Sequence, residues 1–206
     1  GELAARYRKM LRMPFGEYLP APWSWPVLRK INDQVFGEFL RPLGAGTEHT
    51  EFLVDDMRVM PMVCYEAAFA GFVAGAVNHD GAGKMLLFLS QDNWFGESSQ
   101  PLQHANMSIL RGVENRVPMV HLINNGPSVV TAPNGRVQAR SSPFNQDELL
   151  VRIPFDRTAG GSFFSRHPGF FLNAVYATLG VVMLFALWRG RRGRAQRAES
   201  GSVSDR

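Results

Sequence analysis

The chain of 206 residues holds a single cysteine, Cys64, at the end of the apolar run Met57–Val63 and directly before Tyr65 and Glu66. A thiol placed where a strand gives way to a helix sits on a sharp turn, with backbone N–H groups nearby to stabilise charge, which is the setting of a nucleophile. Taken alone the residue reads as well as a small buried hydrophobe, since free cysteines are among the most buried residue types. Acyl transfer through a thioester needs the thiolate, a base to make it, and a cation or donors where the tetrahedral oxyanion develops. Lys9 suits the oxyanion role, because an ammonium is a compact point charge. It is one of only three lysines, with Lys30 and Lys84, against 19 arginines. A lysine retained in so arginine-biased a chain suggests that arginine would not serve there.

The elements that would position these residues follow from period and turn chemistry. Residues 7–30, rich in Pro and Trp, predict loop and short helix, and residues 31–56, without a clear period, predict an irregular excursion. Residues 59–63 predict a strand, 66–77 a helix, 85–90 a second strand, and 101–115 a helix opened by Pro101 in its first turn. Residues 119–123 and 128–131 predict strands. The turn 132–136, with Asn134-Gly135 at its tip, leads into a strand over 137–140, a hairpin pattern because Asn and Gly tolerate positive φ. Residues 148–153 close the domain. Strands alternating with helices, and a late hairpin, predict an α/β fold in layers.

Several segments carry a resemblance. They are residues 7–20, with Lys9, Glu17 and the rigid Pro14-Phe15-Gly16 turn; residues 86–96, a buried strand ending in the polar and aromatic Ser90-Gln-Asp-Asn-Trp-Phe-Gly96; Gln103-His104; residues 111–118; and Asn124-Asn125-Gly126. In this order and spacing they resemble the nitrilase (carbon-nitrogen hydrolase) superfamily, and within it the apolipoprotein N-acyltransferases of bacterial envelopes. The resemblance implies a nitrilase-like α-β-β-α sandwich, present in part. It places the nucleophile at Cys64 and the catalytic lysine at Lys9, with Glu17 and Glu66 as supporting carboxylates. It puts Tyr65, Trp94 and Phe95 at the substrate, Trp94 in a loop at the active-site mouth. It places the general-base Glu upstream of Gly1, since Glu2 lies only seven residues before Lys9, so these residues alone are expected to be inactive.

Each supporting residue has a plainer reading. Glu17 could be a solvated turn residue, although a carboxylate in reach would keep Lys9 charged and oriented. Glu66 could be the first-turn acid that a helix N-terminus favours. Trp94 could cap the core. His104, near a helix start, reads as a structural hydrogen-bonder before it reads as an acid or base. Arg111 and Glu114, at i and i+3, read as a salt-bridged pair. The histidines at 49, 79, 104, 121 and 167 show no metal-ligand spacing, and no Gly-rich phosphate loop occurs, so neither metal nor cofactor is expected.

Residues 170–188 carry no charge and are long enough to cross a bilayer as a helix, with Trp188 at one interface. The alternative is a buried core helix. Arg189, Arg191, Arg192, Arg194 and Arg197 follow at once, so the positive-inside rule puts the C-terminus in the cytoplasm and the catalytic candidates on the periplasmic side. The tail from Arg189 holds six Arg against Glu199 and Asp205, which accounts for the whole net charge of +4. The other 188 residues are neutral, so the basic balance points to a membrane surface and not to nucleic acid. The tail's Gly, Ser and Arg content predicts disorder after about Ala198. A free thiol in an oxidising compartment lacks a disulfide partner in the chain and invites a chemical explanation.

The expected organisation is therefore the C-terminal part of a periplasmic catalytic domain over 1–165, a transmembrane helix over 168–188 and a basic cytoplasmic tail over 189–206, in the bacterial inner membrane. The leading function is transfer of a fatty acyl chain from a membrane phospholipid, through a Cys64 thioester, to the N-terminal diacylglyceryl cysteine of a lipoprotein. The rivals are a nitrilase-type amidase acting on a small amide, and a non-catalytic membrane-anchored fragment of the same fold.

Overall fold

The structure, a computed structural model, describes residues 5–36, 43–78, 80–158 and 160–203, with side chains at 32, 35, 36 and from 191 onward left aside. Glu2, His79, Asp205 and Arg206, all weighed above, lie outside the described residues or side chains. The chain divides into two compact units, Gly1–Arg166 and His167–Arg206.

The first unit is built on one mixed sheet of six strands in the order β1 (Phe52–Val54), β2 (Met57–Val63), β3 (Lys84–Ser90), β4 (Met119–Ile123), β5 (Val129–Thr131) and β6 (Val137–Arg140). The central strands β2, β3 and β4 are parallel and the margins antiparallel. Parallel neighbours need a crossover, and two helices supply it: α2 (Ala70–Val77) between β2 and β3, and α3 (Gln100–Asn115) between β3 and β4. Alternation along each strand sends Met60 and Met62, Leu86 and Phe88, and Met119 to the face carrying the helices, where they join Val73 and Val77 of α2 and Ala105 of α3 in one core. The opposite face holds a smaller cluster of Val59, Met85 and Val120, partly covered by Ile153 from the extended segment after β6. Among the described residues there is no second sheet, the other inner layer of an α-β-β-α sandwich.

Three local expectations change. The span 66–77 is not one helix: a 3₁₀ turn, Cys64–Ala68, comes first, Phe69 is extended, and α2 starts at Ala70. The stretch 31–56 is not wholly irregular, because α1 (Pro26–Phe36) ends inside it and β1 pairs with β2 through Phe52↔Val59. Three residues are too few to show a strand's period. A short helix, α4 (Phe163–Arg166), was also missed. The hairpin forms as expected, with Gly135 at φ 81° and Ala132 N–H bonded to Arg136 O at 2.9 Å.

The second unit is the single helix α5 (Phe170–Val203). Its stretch Phe170–Gly190 is long and apolar enough to cross a membrane, and none of that stretch is buried by the protein. The helix runs on to Val203, past Ala198, after which disorder was expected.

Candidate active site

The parallel strands β2, β3 and β4 end side by side, with Val63 opposite Leu89 and Ser90 opposite Ile123. The residues that follow them, Cys64, Gln91-Asp92 and Asn124, therefore emerge together, at the edge of a parallel sheet where α/β proteins build their sites. Cys64 has φ 51°, a left-handed conformation that non-glycine residues seldom adopt and that persists only where the surroundings over-determine it.

Glu66 supplies much of that constraint. Its side chain is fully buried and accepts four hydrogen bonds: from Met10 N–H at 2.6 Å and Leu11 N–H at 3.1 Å on Oε1, and from Tyr7 O–H and Val63 N–H, both at 2.7 Å, on Oε2. Hydrogen bonds to a charged group contribute about 1.5–3 kcal/mol each, so one carboxylate welds the Tyr7–Leu11 segment to the turn that carries the thiol. With both oxygens so engaged, Glu66 is an organiser of the site and has no free lone pair directed at a substrate proton. Burial, and then Glu66, push the Tyr7 phenol above its ordinary range.

The welded segment carries Lys9. Its Nζ lies 2.7 Å from Glu17 Oε1 in a largely shielded pair, and the other oxygen of Glu17 accepts Met13 N–H at 2.8 Å, closing the Pro14-Phe15-Gly16 turn onto itself. From the other side Gly46 N–H bonds Lys9 O at 2.8 Å. That approach requires glycine, because a Cβ at 46 would stand 2.2 Å from Arg8 O. Of the other lysines, Lys84 is buried and donates to Val77 O at 2.9 Å at the end of α2, a helix cap, and Lys30 lies in α1.

The Cys64 thiol titrates above its ordinary range, chiefly because it is partly buried. Lys9 and the Tyr65 N–H pull it down, while Asp92 and Glu17 push it up.

Behind the turn lies a buried polar chain. Asp92, fully buried in the loop after β3, faces His104 Nδ1 at 2.9 Å; His104 Nε2 lies 3.2 Å from Cys64 O; and Asp92 N–H donates to Asn124 Oδ1 at 3.0 Å. His121 packs edge-on to His104 and meets Ser90 Oγ at 2.7 Å. Burial, and then His104, hold His121 far below its ordinary range, so it is neutral.

Lys9, Glu17, Cys64 and Glu66 thus form one assembly. Tyr65 follows the thiol, packs edge-on to Phe69, and lines a surface hollow with Met10, Leu11, Pro14 and Tyr18. Trp94 and Phe95 stand instead on a 3₁₀ turn after β3, with Trp94 72% exposed, so Trp94 does not cap the core. Arg111 and Glu114 make the pair read from their spacing, at 2.9 Å. Among the described residues no cluster of His, Cys, Asp and Glu suits a metal ion. Tyr7, Gly46 and Asp92 escaped sequence reasoning as site residues. Asp92 alone had a visible signal, an acid in a loop directly after a buried strand.

Comparison with known proteins adds to this geometry. The family model for carbon-nitrogen hydrolases matches residues 1–160. The apolipoprotein N-acyltransferase of Geobacter metallireducens is 29% identical over 189 residues, covering 92% of this chain and 34% of that protein. The apolipoprotein N-acyltransferase of Vibrio cholerae is 30% identical over 206 residues, covering 94% and 36%. The chain spans about one third of the length of these curated relatives. Among solved structures, an amidase from Nesterenkonia sp. aligns with 58% of this chain and 45% of its own, at 20% identity and a TM-score of 0.42.

Proposed function

The chain belongs to the carbon-nitrogen hydrolase family, and from there we propose that it carries the nucleophile and the oxyanion cation of an apolipoprotein N-acyltransferase. The observation that supports this most is the Cys64 turn at φ 51°, tied through one buried carboxylate to the Lys9 segment. The thiolate of Cys64 attacks the ester carbonyl of a phospholipid acyl chain. A C–S bond forms, the ester C–O bond breaks, and the lysophospholipid leaves with the proton that the base took from the thiol. In the second half the α-amino group of a lipoprotein's diacylglyceryl cysteine attacks the thioester. The N–C bond forms, the C–S bond breaks, and the amine's proton returns to the base.

Lys9 stabilises the oxyanion in both halves, and Glu17 keeps its ammonium aimed. Preorganised charge of this kind is worth about 2.7–4 kcal/mol per donor. Glu66 holds cation and sulfur in register. The general base is a Glu outside these 206 residues, which alone do not complete a cycle. Tyr65, Trp94 and Phe95 contact acyl chains.

The apolar stretch Phe170–Gly190 crosses the bacterial inner membrane, with the arginines after it in the cytoplasm and Cys64 in the periplasm. An anchor fits this reading better than a small-amide hydrolase, because both substrates reside in the membrane. The test is intact mass of the full-length protein in detergent with phospholipid, for wild type and Cys64→Ala. A fatty-acyl increment that requires Cys64 and is discharged by a diacylglyceryl lipopeptide supports the proposal. A wild type that never gains the increment, but releases ammonia from small amides, overturns it in favour of an amidase.

A further inference from the structure

The mechanism above leaves two buried ionisable groups without a task, Asp92 and His104, although His104 lies against the nucleophile's own backbone and Asp92 against His104. A carbonyl oxygen only accepts, so the 3.2 Å contact makes His104 Nε2 a donor to Cys64 O. The other ring nitrogen faces both oxygens of Asp92, at 3.1 and 2.9 Å. Asp92 is in turn fixed through its amide to Asn124 Oδ1. Three adjacent strand ends and α3 thus converge on a single carbonyl, that of a residue with φ 51°. Because Nε2 is committed to the carbonyl, the ring does not take a proton from the sulfur.

We propose that His104, oriented by Asp92, is a positioning residue: its Nε2–H holds the Cys64 carbonyl and so locks the left-handed backbone that presents the thiol. Glu66 restrains the turn through the Val63 N–H on one side of the sulfur, and His104 through the Cys64 carbonyl on the other. Loosening the second restraint lets the turn relax toward ordinary φ and swings the sulfur out of line with Lys9. The inference rests on Cys64 being the nucleophile.

The test uses full-length protein in detergent with phospholipid, and the variants Asp92→Asn, His104→Gln and His104→Leu. Circular dichroism and melting temperature establish folding. Single-turnover acylation of Cys64 and the KM for phospholipid read the chemistry, and alkylation by iodoacetamide, which needs no lipid, reads presentation of the thiol alone. Misplacing a reacting group by about 1 Å costs up to roughly 100-fold. Folded Asp92→Asn and His104→Leu are expected to acylate roughly ten- to 100-fold more slowly at unchanged KM. His104→Gln, whose amide N–H still reaches the carbonyl, is expected to recover part of that loss.

Folded Asp92→Asn with wild-type acylation and alkylation overturns the proposal, as does a His104→Gln no faster than a folded His104→Leu. Where His104→Leu does not fold, Asp92→Asn decides alone. A wild type that is alkylated but never acylated sinks the acyltransferase reading instead; slower alkylation of Asp92→Asn then still supports the positioning role, and equal alkylation overturns it.

Discussion

Glu66 Oε1 and the Met10 amide meet at 2.6 Å across 56 residues of sequence. That bond, with the three others on the same carboxylate, ties the Lys9 segment to the Cys64 turn through one buried side chain.

Glu66→Gln is the sharpest test of this. An amide replaces one of two oxygens that each accept two donors, and an unsatisfied buried donor costs about 1–3 kcal/mol. The substitution should lower stability by about 2–4 kcal/mol and slow acylation of Cys64 more than the loss of folded protein explains. Denaturant unfolding alongside single-turnover mass spectrometry checks both; a stable variant with wild-type acylation would remove Glu66 from the site.

Lys9→Met should leave the fold intact and cost about 100- to 1,000-fold in acylation, the range seen when one oxyanion donor is removed. Glu17→Gln should be milder, roughly tenfold, because the lysine remains but loses its anchor. The order of these two rates is the measurement. A Glu17→Gln slower than Lys9→Met would assign Glu17 a role beyond holding the lysine.

The pH profile of Cys64 alkylation follows from burial raising the thiol and Lys9 lowering it. In the 206-residue chain the rate should climb with pH to an inflection above the ordinary thiol value of about 8.5, and Lys9→Met should move the inflection higher. The neutral thiol is favoured in the folded state, so its share of stability is full below the unfolded thiol's pKa and is lost as pH rises through the folded one. An inflection below the ordinary value would contradict the burial of the sulfur.

Leu179, exposed near the middle of Phe170–Gly190, tests the membrane span. An arginine at the centre of a spanning helix costs about 2.5–3.5 kcal/mol on insertion scales. Leu179→Arg should therefore raise the fraction of protein released by alkaline carbonate extraction of membranes. Release equal to wild type would argue that this helix does not lie in lipid.

Several elements were readable from sequence: β4 and β6 fall on the residues that period and turn chemistry indicated, and α3 begins one residue early, at Gln100. Cys64 could be singled out because it ends a strand. The work of Glu66 could not, since its partners Tyr7, Met10 and Leu11 lie more than 50 residues away and two of them offer only backbone N–H groups. His104 was readable as a hydrogen-bonder but not as a support for Cys64 O, because that contact depends on how α3 packs over the end of β2. The break at Phe69 escaped notice because nothing in an Ala, Gly and Phe run announces a 3₁₀ turn; it is imposed by Glu66 folding back to Val63.

The three parallel strands beneath the site also act as a ruler. Neighbouring strands stand about 4.8 Å apart because backbone hydrogen bonding sets that distance, so the spacing from the end of β2 to that of β3 and on to β4 is the same whatever side chains occupy the loops. Changes in Trp94, Phe95 or the residues after Asn124 can therefore alter what enters the site without altering the interval between the sulfur and its supports. Such a framework lets the loops that rim the site change while the strand ends beneath them stay put.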